Sequence, residues 1–112
     1  MTLADWARFA AFHLKVARGD KVDLLKKEIA ADLHKTHFGG DYALGCMTVA
    51  DSAGGQKMLT HAGTNTMWYA VIWIVPRTNR AILVTTNCYD EKVANACNAV
   101  VLELMRADLE RE

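Results

Sequence analysis

Two apolar runs, Ala70-Val-Ile-Trp-Ile-Val75 and Ala81-Ile-Leu-Val84, contain no polar interruption and are separated by Pro76-Arg-Thr-Asn79. A strand with one wet face alternates apolar and polar residues, because successive side chains point to opposite sides. Runs that do not alternate, and that are rich in β-branched and aromatic residues, belong to strands covered on both faces. The proline-led segment between them reads as a turn. The chain must therefore supply enough apolar surface elsewhere to cover this pair.

The flanking sequence supplies it. Thr2, followed three residues later by Asp5, reads as a helix N-cap with an acid in the first turn. Leu3, Trp6, Phe9, Ala10, His13, Leu14 and Ala17 then recur at helical steps up to Gly19, a C-cap residue. A second, shorter helix is predicted from about Val22 to His34, with Leu25, Ile29 and Leu33 stacked on one face. Gly39-Gly40 breaks the pattern before a strand over Tyr42–Ala50, in which Gly45 marks a bulge or a close neighbour. After the Asp51-Ser-Ala-Gly-Gly55 turn, strands follow over Lys57–Ala62, Met67–Pro76 and Ala81–Thr86, and Gly63-Thr-Asn-Thr66 interrupts the pattern. A helix closes the chain from about Asp90 to Asp108, its buried stripe being Val93, Cys97, Val100, Leu104 and Ala107, with Ala96 and Val101 beside it. The expected fold is α+β: an antiparallel sheet of three to four strands, flanked by two N-terminal helices and one C-terminal helix.

At 112 residues this is a single domain, 1–112. Thirteen basic residues balance thirteen acidic ones, so the one-sided basic field needed for nucleic acid or an anionic membrane is missing. No apolar stretch reaches membrane-spanning length, and no signal-peptide pattern is visible at the N-terminus. Cys46, Cys88 and Cys97 match neither a CxxC pair nor a zinc site and read as small buried hydrophobes. His34 and His37 are three apart but have no acidic or cysteine partner clustered with them, so no metal and no cofactor is expected. His13 lies on a helix stripe and reads as a core or boundary residue. Trp68, Tyr69 and Trp73 read as sheet packing.

Five motifs stand in order: Met1-Thr-Leu-Ala-Asp-Trp-Ala-Arg-Phe9, Tyr42-Ala-Leu-Gly45, His61-Ala-Gly-Thr64, Ile74-Val-Pro76 and Leu83-Val-Thr-Thr-Asn87. Together they resemble the C-terminal region of the β-lactamase-related serine hydrolases, the class C β-lactamase, DD-peptidase and esterase group. That resemblance implies a β-lactamase/transpeptidase-like fold. It also implies that box His61–Thr64 borders an acyl-transfer site, with His61 in the basic position and the Thr64 N–H in the oxyanion hole. Gly63, lacking a Cβ, would let a substrate backbone approach. Ala62 departs from the family's Thr or Ser, which removes a hydroxyl that would contact a substrate carboxylate.

A second departure is larger. Family catalysis needs a serine in S-x-x-K and a tyrosine in a Y-x-N or Y-x-S loop. The only serine is Ser52 in Ser-Ala-Gly-Gly, and none of Tyr42, Tyr69 and Tyr89 has the loop pattern. In the family these elements lie N-terminal to the region resembled here. The resemblance thus implies a C-terminal piece that is inactive alone, while the whole enzyme would hydrolyse a small-molecule ester, amide or β-lactam. Cut from its partners, such a piece exposes a sheet edge and should self-associate or pair with the missing N-terminal portion. Two alternatives stand beside it: a non-catalytic binding or assembly module that keeps this subdomain, and an unrelated small α+β ligand-binding domain. The compartment is left open.

Overall fold

The structure, a computed structural model, describes residues 1–111. Its elements are α1 (Leu3–Arg18), α2 (Lys27–Asp32), β1 (Met47–Val49), β2 (Met58–Thr64), β3 (Tyr69–Val75), β4 (Arg80–Thr86) and α3 (Glu91–Leu109). The four strands form one antiparallel sheet in the order β1-β2-β3-β4, each strand pairing with its sequence neighbour. The chain is α+β, as the sequence predicts.

The helix ends follow from local chemistry. The Thr2 hydroxyl oxygen accepts the Asp5 N–H at 3.1 Å and the Asp5 carboxylate accepts the Thr2 N–H at 3.4 Å, closing a capping box on α1. Gly19 ends the helix at φ 80°, a left-handed conformation that costs glycine little. Asp90 caps α3 by accepting the Val93 N–H at 2.8 Å.

β3 is buried on both sides, as its unbroken apolar run requires. On one face Tyr69, Val71 and Ile82 pack under Cys97 and Val101 of α3, with Trp73 and Val84 beside them. On the other face Leu59, Ile72 and Ile74 pack under Ala10 of α1, with Trp6, Ala81 and Leu83 beside them. Ala10 is fully buried, and the small side chain lets α1 press close to the sheet. A third small cluster, Val16, Val22 and Ala30, ties α2 to the end of α1.

Four expectations need correction. The second helix is only six residues long: Val22 turns inward against Val16 instead of continuing a helix. Ala30 is its buried residue, while Ile29 stands exposed. The strand expected over Tyr42–Ala50 shrinks to Met47–Val49 plus an isolated Tyr42–Met47 bridge, because Gly45 at φ 105° folds the segment back on itself. β2 runs on through Gly63 and Thr64 rather than stopping at Ala62. The buried stripe of α3 is Val93, Ala94, Cys97, Val101 and Met105. Val100 and Leu104, 47% and 46% exposed, lie to one side of the covered surface.

Candidate functional site

The pairing of β2 with β3 sets each residue of the box on a definite face. His61 pairs with Ile72 and Gly63 with Ala70, so both lie on the α1 side. Ala62 pairs with Val71 and Thr64 with Tyr69, so both lie on the α3 side. The four residues are contiguous in sequence, yet their side chains are divided between two surfaces.

On the α1 side, His61 and Gly63 line a cleft of about 350 Å³. Its floor includes Ala70, Ile72 and Ile74, and its walls are Trp6, Phe9 and His13 of α1, His34, and the Leu44–Cys46 loop. The pairing of β1 with β2 ends at Thr60, so the His61–Thr64 half of β2 has no strand on its outer side among the described residues. A cleft of this size, largely apolar with a few polar groups, has the form of a small-ligand site. A Cβ built on Gly63 would meet no atom within 4 Å. The fold itself therefore does not demand glycine here, and the room beside Gly63 is open to the cleft.

Two polar pairs stand at this cleft. The Tyr42 hydroxyl lies 3.3 Å from Nδ1 of His61. The second pair is His13 Nδ1 and His34 Nε2, 2.9 Å apart, which requires one ring to donate and the other to accept. Burial lowers the pKa of both rings, and His13 adds to the effect on His34, bringing it from 6.5 to about 4. At neutral pH both rings are uncharged, so the cleft offers hydrogen bonding without net charge on this wall. Burial also pushes the Cys46 thiol up, away from reactivity.

Thr64 is engaged on the other face. Its hydroxyl donates to the Trp68 carbonyl at 2.6 Å and accepts the Thr66 N–H at 2.9 Å, holding the β2–β3 turn. Ala62 lines neither the cleft nor the core.

His61 and Gly63 carry a sequence signal for the cleft, whereas His13 and His34, which also line it, carry none in the motifs, and Tyr42, which meets His61, is marked only as the start of a strand. The Phe9–His13 step of one helical turn was a usable signal, since both side chains face the same way and their rings meet at 4.5 Å. His34 and His37 do not act together: His34 turns to His13, and His37 to Asp32, at 3.1 Å from its carbonyl. Among the described residues no group of three or more His, Cys, Asp or Glu side chains could hold a metal. Cys46, Cys88 and Cys97 are free thiols. Contrary to expectation Cys88 is exposed, its sulfur 3.2 Å from the Thr86 hydroxyl, because it falls after β4 ends. Tyr69 and Trp73 pack in the α3-side core, while Trp68 stands half exposed beside Thr64. No helix among the described residues is long and apolar enough to cross a membrane.

No family profile, no curated protein and no solved structure matches the chain. What is established is an α+β chain with a four-stranded antiparallel sheet and three helices; the resemblance to the serine hydrolases is one of sequence motifs alone.

Proposed function

We propose that this chain is the C-terminal portion of a β-lactamase-related serine hydrolase and forms one wall of its acyl-transfer pocket. The observation that supports this reading best is the disposition of the box. His61 and Gly63 border an open apolar cleft, on a length of β2 whose outer backbone edge has no strand partner.

In the whole enzyme a serine from an S-x-x-K element attacks the carbonyl of an ester, amide or β-lactam, and its proton passes to the lysine–tyrosine pair. The oxyanion accepts a hydrogen bond from the Thr64 N–H, while His61 donates to the substrate or stabilises charge beside it. Collapse of the intermediate expels the leaving group with a proton, and water then releases the acyl group. This chain contributes recognition and oxyanion stabilisation; the nucleophile comes from an N-terminal portion. Trp6, Phe9, Leu44 and Ile72 favour an apolar acyl group, and the missing hydroxyl at Ala62 favours an ester over a substrate bearing a carboxylate.

The test is labelling by a fluorophosphonate and by a fluorescent penicillin. The chain alone stays unlabelled. Mixed with an N-terminal portion carrying S-x-x-K and Y-x-N, it restores labelling of that portion's serine, and His61→Ala slows acylation by roughly 10- to 100-fold. Turnover of an activated ester by this chain alone, faster than by its His61→Ala variant, would refute the proposal.

A second reading, a non-catalytic binding module, is favoured by the fact that this chain forms the cleft from its own residues. That reading predicts binding of an apolar ligand with no acylation under any complementation.

A further inference from the structure

The two edges of the sheet differ. β1 contributes three residues, whereas β4 offers seven, Arg80–Thr86, with no strand on its outer side among the described residues. After Arg80, the β4 sequence carries no charge and no proline, and its register with β3 is unbroken by a bulge. These are the devices that keep an edge strand from pairing, and β4 lacks them. Arg80 itself is turned onto Asp108 of α3, at 3.4 Å.

Along the first half of this edge runs a slot of about 470 Å³. It is lined by Arg80–Leu83, with Leu3 and Ala7 of α1 on one face and Leu104 and Ala107 of α3 on the other. Val100, one turn before Leu104, carries the same exposed stripe further along α3. This is the half of the apolar stripe of α3 that its own sheet leaves bare, and it overhangs the open edge.

We infer that a second copy of this chain closes the edge, β4 pairing antiparallel with β4 about a two-fold axis at Leu83. This register sets Ile82 opposite Val84 of the other copy, and Ala81 opposite Thr85. Ile82 and Val84 both face α3, while Ala81 and Thr85 both face α1, so each face of the joined sheet stays continuous.

The helices fit the same operation. α3 packs over both β3 and β4. With strands ~4.8 Å apart, two helices so placed stand ~10 Å apart across the junction, the separation at which helices pack. Val100 and Leu104 of each copy then meet. On the opposite face Leu3 and Ala7 flank only the first half of β4, and the two-fold brings that half beside the second half of the other copy, where Thr85 stands exposed.

Charge and area agree with this occupant. The formal net charge is zero, so no long-range repulsion opposes self-association. Arg80, Asp108 and Arg111 lie at one end of the slot, and the two-fold carries them to the two rims around an apolar centre. Seven strand residues span ~23 Å and the three layers ~25 Å, giving roughly 1,200 Å² for the two copies in projection, above the ~1,000 Å² of a specific interface.

The inference does not rest on the acyl-transfer reading, which is tested by labelling rather than by mass. Light scattering of the intact chain at tens of micromolar gives the mass of a dimer. Val100→Glu with Leu104→Glu, both at exposed positions, raises the dissociation constant about 100-fold by setting like charges together. Leu24→Glu, at a 78% exposed position outside the slot, leaves the mass unchanged. Hydrogen exchange of the unaltered chain guards against a misfolded variant: amides within Ala81–Thr85 exchange more slowly as concentration rises. A monomer at all concentrations overturns the inference, whether its β4 amides exchange freely or are protected by another segment of the chain. So does a dimer whose mass ignores the double substitution, or whose β4 exchange ignores concentration.

Discussion

The two faces of the sheet are covered by helices of similar length but to different effect. On one, α3 lies over β3 and β4 and encloses Tyr69, Val71 and Ile82. On the other, α1 begins beside β4 and its last turn, with Val16 and Ala17, approaches Thr48 and Leu59 on β1 and β2. The outer half of β2 is left beyond its reach. One face is therefore a closed core, whereas the other combines a core under Ala10 with a cleft that exposes Phe9 and His61. The same sheet thus carries a closed core on one side and, on the other, a core that shares its face with a candidate site.

Substitutions should reproduce this contrast, beginning with the largest effect. Ile82→Ala on the closed face should cost about 3 kcal/mol, read as a lowered denaturant midpoint at unchanged slope. An effect below that of any cleft substitution would contradict the division. Next is acid. His34 binds protons less readily folded (about 4) than free (6.5), so the unfolded state takes up the proton first as pH falls. Stability is fully present above pH 6.5 and declines toward pH 4, by on the order of 1 kcal/mol after discounting for partial exposure of the rings. Thermal melts across that window check the sign, and His34→Asn together with His13→Asn should flatten the slope. Phe9→Ala, at a half-exposed wall position, should cost less than about 1 kcal/mol yet weaken binding of an apolar fluorescent dye. Smallest is Gly63→Ala. With ordinary φ and open space at its Cβ, stability should stay within about 0.5 kcal/mol; on the proposed acyl-transfer function, acylation after complementation should fall.

Much of the framework was legible in the sequence, because its signals are local. The Thr2–Asp5 capping box, Gly19 and the unbroken apolar run of β3 each act within a few residues. The site was legible only in part. His61 and Gly63 were found by motif, but their separation from Ala62 and Thr64 follows from strand alternation, which a four-letter box conceals. The His13–His34 contact spans 21 residues and depends on how α2 docks, which Leu25, Ile29 and Leu33 wrongly suggested was through a longer helix. The stripe on α3 was misphased for an instructive reason: its apolar residues serve two surfaces, the sheet through Cys97 and Val101 and the β4 edge through Leu104 and Ala107.

The meander has a kinetic corollary. Because every strand pairs with the one before it, the segment from β2 to the end of α3 can assemble through short loop closures, without any residue of α1. Chains built from such near neighbours cross their folding barrier quickly, and the parts that join late are the first to detach. α1, which walls the cleft, joins the sheet only through contacts distant in sequence. The pocket should therefore open at its α1 wall before the molecule as a whole comes apart.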